Sequence, residues 1–320
     1  MSDIHNHTLC AVQTLDRLKN EDLLRSIQRN MPLYLFGAMG GDIFLYLNFA
    51  NGDQWAEEIS EQFHSDPNLL FALFKDYYGT VEKANADALT AYLMGFVSHH
   101  ALDVSTHPFI NYHAGFEVEG REETRKYRYA HKRYEVILDV LFAAYRQSKM
   151  ISLDFLNQLK ENDLAIVTGL VRFVLQKTKK ELIPDHLLAM CLNDCKKLLS
   201  LASNRPLSYL MRTADRLSPL RYRFSRPFFF VTKQERKVDA LNLSHRMWRH
   251  PNDKTLQMNY SYPELFAYAI KDGASDILHY HAYLQGQLNN IDRIFHHHGF
   301  NGYIEKSGKN GMSFMQPILL

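Results

Sequence analysis

The sequence is poor in cysteine, with three in 320 residues. Three thiols cannot form a disulfide framework, and the one close pair, Cys191 and Cys195, has no second pair to complete a thiolate zinc site. We therefore expect all three, including Cys10, to be reduced thiols in a core, as is typical of cytoplasmic proteins.

Long apolar runs and an N-terminal leader are also missing. No uninterrupted apolar segment reaches the ~18 residues of a membrane-spanning helix. The first ten residues lack the basic and apolar regions of a secretory signal. The sequence thus predicts no transmembrane segment and a cytoplasmic location.

An excess of charge of one sign is absent, because 37 Lys and Arg residues nearly balance 35 Asp and Glu residues, for a net charge of +2. A chain without a basic footprint is not expected to bind long nucleic acids. Strand-type alternation and internal repeats are missing, whereas apolar residues recur at helical spacing along most of the chain. The predicted fold class is therefore all-α.

The length allows one large domain or two smaller ones. We interpret residues 1–149 as a helical bundle with a metal site, and residues 150–320 as a C-terminal helical region that packs on it as one compact unit. The predicted helices cover residues 9–29, 54–63, 68–78, 91–108, 122–147, 153–179, 184–201 and 262–290.

The helix predicted over residues 91–108 carries His99, Asp103 and His107, each four residues from the next. At helical spacing these side chains share one face. A carboxylate between two imidazoles on a mostly apolar helix is costly to bury without a compensating charge, which a bound cation supplies. Because Pro108 disfavours helical geometry at the residue before it, we expect the helix to end near His107.

The helix predicted over residues 122–147 repeats this spacing with His131, Glu135 and Asp139. The alternative is a solvated charged face, which the neighbouring Lys132 and Arg133 favour. If the row instead faces the core, the two helices present ligand-spaced rows to one another, as in a metal site inside a helical bundle.

Further candidates lie outside these two helices. Asp42 follows a glycine turn and starts a helix, so it is either an N-cap or a carboxylate directed at a buried site. His64 stands at a predicted helix end, and His5 and His7 precede the first helix. His113 and Glu117 are second choices in a polar loop after residue 108, and His245 lies in another polar segment.

Several motifs resemble the zinc-dependent phospholipase C family, in its branch of uncharacterised intracellular bacterial proteins. They are GAMGGDIF, AYLMGFVSHHALDVSTHPFI and HKRYEVILD, and more loosely LNLSHRMWRHP followed by YPELFAYAI. The resemblance implies a multi-helix bundle that encloses a multinuclear site of two or three zinc ions. It implies ligand roles for His7, Asp42, His64, His99, Asp103, His107, His131 and Glu135, with His5 as an alternative to His7.

The resemblance implies a phospholipase C-like phosphodiesterase that acts on a small phosphate ester or a phospholipid head group. A ligand set of imidazoles and carboxylates without thiolates suits zinc, with iron and manganese as rivals. Asp42 is our candidate to accept a proton from a metal-activated water. We expect the supporting contacts or the substrate pocket to involve His5, His113, Glu117, Asp139 and His245.

Two other functions remain open at this point. One is a phosphoesterase of the nuclease or nucleotidase type, because that related chemistry also occurs on a helical zinc scaffold similar to the one implied here. The other is a metal-binding helical protein without hydrolytic activity, in which the protein fills every coordination position.

Overall fold

The computed structural model describes residues 4–47, 54–179, 183–203, 206, 209–210, 231–295, 298–302 and 312–318. These residues are mostly helical, which confirms the predicted fold class. The N-terminal helices are α1 (Ile4–Leu15), α2 (Glu21–Arg29), α3 (Met31–Gly37), α4 (Gln54–Phe63), α5 (Pro67–Tyr78), α6 (Lys83–Ala114) and α7 (Ala130–Tyr145). The later helices are α8 (Glu161–Thr178), α9 (Leu187–Ser203), α10 (Tyr262–Leu284) and α11 (Asp292–Phe295). Short 3-10 helices cover Gly40–Tyr46, Glu122–Tyr127, Asp154–Asn157 and Glu235–Lys237.

Helix α6 is much longer than predicted, and the expectation that it ends near His107 was wrong. It continues through Pro108 to Ala114. Proline cannot donate the helical hydrogen bond that the carbonyl group of Val104 would otherwise accept. Gly302 packs against this turn of α6, since a Cβ atom added to Gly302 would be 2.6 Å from the Val104 carbonyl oxygen and 2.5 Å from the Pro108 ring. The helix therefore keeps His107 in register with the residues before it.

Three other helices are divided where the sequence predicted continuity, and the one predicted over residues 153–179 consists of the 3-10 helix Asp154–Asn157 and α8. The helix expected over residues 9–29 breaks before α2, where the side chain of Asn20 accepts a hydrogen bond from the Leu23 N–H group at 3.0 Å. Such an N-cap satisfies a backbone group that a new helix leaves without a partner. The helix expected from residue 122 is a 3-10 helix over Glu122–Tyr127, and α7 starts after it.

A small β-hairpin was not predicted. Strands β1 (Trp248–His250) and β2 (Asp253–Met258) pair in antiparallel fashion. The second strand is exposed on nearly all of its length, so it has no alternation of apolar and polar residues to reveal it. The hairpin is held by the buried Trp248, whose indole N–H donates to the carbonyl oxygen of Tyr260 at 3.1 Å.

Helices α3 and α6 cross at very short distance because a glycine stands on each. A Cβ at Gly95 would lie 1.9 Å from the carbonyl oxygen of Tyr34, and a Cβ at Gly37 would lie 2.0 Å from that of Tyr92. This contact fixes the end of α3 against α6. The glycine turn that follows α3 therefore starts beside the middle of α6.

Residues on both sides of position 149 share the hydrophobic cores. The most extensive helix contact joins α6 to α10. The hydroxyl group of Tyr280 on α10 donates to the carbonyl oxygen of Phe71 on α5 at 2.8 Å. Among the residues described, no helix has the length and apolar character to cross a membrane.

The three cysteines are buried and form no disulfide, as predicted. Burial raises the pKa of the Cys10 thiol to about 12. A thiol in this environment behaves as a small apolar side chain.

A buried ion pair attaches the segment after residue 231 to α7. The guanidinium group of Arg133 donates to both oxygens of Glu235, from Nε at 2.9 Å and from Nη2 at 2.6 Å. Arg133 is 6% exposed, so it does not form the solvated charged face that the sequence offered as an alternative. Burial alone would raise the pKa of Glu235, but Arg133 lowers it from 4.5 to about 2.

We expect this pair to make stability depend on pH in the acid range. The folded-state pKa of Glu235 is lower than the unfolded value, so the contribution is complete above pH 4.5 and is lost as the pH falls towards 2. Glu235→Gln should lower the free energy of unfolding at pH 7 by about 3 kcal/mol and flatten its pH dependence in that range. Chemical denaturation across pH measures both effects. Glu122→Gln, in an exposed pair, is the control, and equal acid profiles for all three proteins would contradict the prediction.

The close crossing of α3 and α6 leads to a second prediction about stability. Gly95→Ala should lower the free energy of unfolding by at least about 2 kcal/mol, because the added methyl group overlaps the backbone of α3. Gly79→Ala is the matched control, since the nearest atom to a Cβ there is 3.5 Å away. Urea denaturation of the two variants measures the difference. If Gly95→Ala is as stable as Gly79→Ala, the crossing is not as close as described.

Candidate metal centre

Five parts of the chain bring the eight predicted ligands into one buried region. Helix α6 supplies His99, Asp103 and His107, and α7 supplies His131 and Glu135. His7 lies on α1, Asp42 lies in the 3-10 helix after the glycine turn, and His64 lies at the end of α4.

The first group of donor atoms consists of His7, His99 and Asp103, all of them buried. The Oδ1 atom of Asp103 lies 3.3 Å from Nε2 of His7, and its Oδ2 atom lies 3.2 Å from Nε2 of His99. The Nδ1 atoms of the two imidazoles are 3.1 Å apart. Two chain segments separated by about ninety residues thus meet on one carboxylate.

The second group shares His99 with the first and adds Asp42 and His64. The Nε2 atom of His64 lies 3.2 Å from Nε2 of His99 and 3.5 Å from Oδ1 of Asp42. Asp42 is therefore directed at the other donors, which is the second of the two roles considered for it.

The third group consists of His107, His131 and Glu135. The Oε1 atom of Glu135 lies 3.0 Å from Nε2 of His131 and 3.5 Å from Nε2 of His107. The same His107 atom lies 3.1 Å from Oδ1 of Asp103, which connects this group to the first. All eight side chains therefore form one continuous set.

The glycine turn after α3 makes room for two of these imidazoles. Gly40 has a φ of +56°, and a Cβ there would lie 2.2 Å from the His99 ring. A Cβ at Gly41 would lie 2.8 Å from the His64 ring. The groups that approach the backbone at this glycine turn are therefore imidazoles.

Hydrogen bonds on the far side of two imidazoles set their orientation. The Nδ1–H group of His131 donates to Oδ1 of Asn111 at 2.7 Å, and that of His64 donates to the carbonyl oxygen of Ser60 at 2.7 Å. Each bond directs the Nε2 atom towards the other donors, where it is the ring nitrogen left to bind a metal ion. Asn111 was missed, although it stands four residues after His107 and so continues the row on α6.

The charges of the carboxylates govern the ionisation of this region. Burial would raise the pKa of Asp103, but three surrounding imidazoles, His107 foremost, lower it well below its usual value. Burial lowers the pKa of His99 well below its usual value, so this ring is neutral. Burial would also lower the pKa of His107, but Asp103 and Glu135 raise it to about 10. These carboxylates hold a strong negative potential that favours a cation.

The donor set fits divalent metal ions. Both oxygens of Asp103 lack a hydrogen-bond partner of good geometry among the described residues, although imidazole nitrogens surround them. In each group the donor atoms lie within 4.8 Å of one another, and donors on one tetrahedral zinc ion are about 3.3 Å apart. A cavity of about 10 Å³, large enough for one ion or water, lies beside His7, Asp103, His107 and Glu135.

The structure distinguishes His5 from His7. The Nδ1 atom of His5 accepts a hydrogen bond from the Ile151 N–H group at 2.7 Å, away from the three groups. Burial lowers the pKa of His5 to about 4. The carboxylate of Asp139 accepts hydrogen bonds from the N–H groups of His5 at 3.3 Å and Asn6 at 3.0 Å. Asp139 thus fixes the first turn of α1, which carries His7.

The other three candidates make contacts elsewhere. His113 donates from Nδ1 to the carbonyl oxygen of Phe109 at 3.0 Å, and its ring lies among aromatic side chains. Glu117 pairs with Arg125 and Arg128 at the surface. His245 is half exposed on a loop and contacts the carbonyl oxygen of Asn259.

Sequence reasoning missed two neighbours of the donor groups. The ammonium group of Lys132 lies 3.6 Å from Asp42 and 3.7 Å from Glu135, and its side chain is only 15% exposed. The ring of Phe300 lies 5.0 Å from that of His64 and 6.0 Å from that of His99. No spacing in the sequence connects Phe300 to this region, whereas Lys132 stands next to a candidate ligand.

The described residues form a mostly helical fold in which three groups of potential metal ligands lie together. The family model described as zinc dependent phospholipase C matches residues 6–186, which is more than half of the chain and contains all eight candidate ligands. The chain therefore belongs to the zinc-dependent phospholipase C family. Comparison with curated proteins and with solved structures finds no match.

Replacement of the central carboxylate should remove metal. Asp103→Asn eliminates the negative charge that His7, His99 and His107 share, so we expect the zinc content of the purified protein to fall by at least one ion per chain. Elemental analysis measures this. Asp22→Asn, on an exposed part of α2, is the control. Unchanged zinc content in Asp103→Asn would remove this residue from the coordination sphere.

Proposed function

We propose that the protein is a zinc-dependent phosphoesterase of the phospholipase C type, which hydrolyses a phosphodiester with a metal-activated water. The observation that carries this proposal is the continuous set of eight imidazole and carboxylate groups, divided into three groups of donors. Membership of the zinc-dependent phospholipase C family supports the same chemistry.

In this proposal the three donor groups hold two or three zinc ions. One ion is held by Asp42, His64 and His99, and one by His107, His131 and Glu135. The group of His7, His99 and Asp103 holds a further ion or completes the first two. When bound, the ions supply a water of lowered pKa and positive charge to stabilise the phosphate.

Asp42 is the carboxylate best placed to accept the proton of the attacking water. Its side chain is 15% exposed, whereas that of Asp103 is 1% exposed and surrounded by imidazoles. A proton acceptor has to reach the water and the substrate, and only a carboxylate at the edge of the site can do so. Asp103 instead holds His7, His99 and His107 around one charge.

The remaining side chains keep the donors in place. Asn111 and the Ser60 carbonyl group orient His131 and His64, and Asp139 fixes the start of α1. Preorganised donors of this kind keep the reacting groups in position without reorganisation during the reaction.

Hydrolysis of a chromogenic phosphodiester tests the function. We expect turnover by zinc-loaded protein, loss of turnover after chelation, and recovery after zinc is returned. Asp42→Asn should lower kcat by about 100-fold or more, because an amide cannot accept the proton. The Asp22→Asn variant serves again as the control and should match the wild type.

The two alternative functions predict different results in this assay. Faster hydrolysis of nucleotides or short oligonucleotides than of phospholipid-like esters would favour the nuclease or nucleotidase type. Absence of turnover on every phosphoester by fully zinc-loaded protein would favour a metal-binding protein without hydrolytic activity. Full activity of Asp42→Asn would overturn the assigned role of Asp42.

A further inference from the structure

A segment from the C-terminal half of the chain packs on one of the donor groups. Phe300 is 1% exposed, and the centre of its ring lies 5.0 Å from that of His64 and 6.0 Å from that of His99. Its ring also contacts those of Phe96, at 6.2 Å, and His100, at 4.7 Å, both on α6. Phe300 is therefore in direct contact with two candidate ligands that belong to the same donor group.

Hydrogen bonds attach the backbone on both sides of Phe300. Two residues before it, the carbonyl oxygen of His298 accepts a hydrogen bond from Nε2 of His100 at 2.8 Å. Two residues after it, the carbonyl oxygen of Gly302 accepts one from Nε2 of His250 on β1 at 3.2 Å. Gly302 also packs closely against α6. These contacts fix the position of the Phe300 ring along α6.

The two imidazoles that Phe300 contacts are restricted in their movement. The glycine turn after α3 already approaches both rings closely, and Phe300 contacts the same two rings. His99 is buried, whereas the side chains of Asp42 and His64 are 15% and 18% exposed, so solvent reaches this donor group at Asp42 and His64. An imidazole whose orientation is fixed by packing keeps its nitrogen atom directed at a bound ion.

We propose that Phe300 is a positioning residue that holds His64 and His99 in the orientations that bind metal, and that the segment 298–302 thereby slows release of the ion held by Asp42, His64 and His99. This inference rests on the metal centre of the proposed function, and hydrolysis is not needed for it. It gives a role at the metal to a segment that lies beyond residues 6–186, where the family model matches.

Transfer of zinc from zinc-loaded protein to a chromogenic chelator tests the role of the ring. Phe300→Leu should release zinc about 10-fold faster than the wild type, because a smaller side chain without a flat ring leaves both imidazoles freer to turn. Phe295→Leu is the matched control, since Phe295 is also buried and, in the described part of the chain, its ring contacts those of Phe71, His100 and Tyr280, none of them a candidate ligand. This control should release zinc within about 2-fold of the wild-type rate.

A second pair of variants moves the segment without altering the ring. A Cβ at Gly302 would lie 2.5 Å from the Pro108 ring, so Gly302→Ala should displace the segment from α6 and also accelerate zinc release. Gly286→Ala is the matched control, because Gly286 has a φ of +71° against +72° for Gly302, but no atom of the described residues lies within 4 Å of a Cβ there. The control carries the same backbone strain and should release zinc at the wild-type rate.

The outcomes separate this inference from the proposed function. Equal rates of zinc release in Phe300→Leu and Phe295→Leu would overturn it, and so would equal rates in Gly302→Ala and Gly286→Ala. If the wild type binds zinc and the variants show the expected rates but no phosphoester is hydrolysed, the inference is supported and the proposed function is wrong. If the wild type takes up no zinc, both are wrong.

Discussion

The burial of one ionised carboxylate is the constraint on which this structure depends. Asp103 is 1% exposed, and a charge in that position is stable only if groups of opposite or complementary character surround it. His7, His99 and His107 provide that surrounding at 3.1–3.3 Å. Because these imidazoles come from α1 and from two further turns of α6, the carboxylate joins the start of the chain to its central helix.

Several local features allow the helices to meet around the Asp103 carboxylate. Gly37 and Gly95 bring α3 against α6, and Gly40 leaves space for the His99 ring. Asp139 holds the first turn of α1 from α7. Each feature acts on the backbone, so the donor side chains are positioned by residues that are not themselves candidate ligands.

The candidate site was predictable in part because helical periodicity is local. The row of His99, Asp103 and His107 and the pair His131 and Glu135 follow from a spacing of four residues, and the structure places them on facing helices. The predictions failed where contacts with distant residues override a rule that holds for neighbouring residues. Pro108 does not end α6, and Gly302, from near the other end of the chain, packs against the turn that contains it. The solvated face that the sequence left open as an alternative is not formed at Arg133, because Glu235, about a hundred residues later, pairs with the buried guanidinium group.

The sequence by itself determined the helical class and the donor types on each helix, since apolar periodicity and residue spacing are properties of neighbouring residues. Only the tertiary structure decided that His7 rather than His5 faces Asp103, that Lys132 lies between Asp42 and Glu135, and that Phe300 borders the imidazoles. Each of these relations includes residues that are distant along the chain. They depend on how closely the helices cross and which side chain each crossing brings inward, which no local pattern encodes.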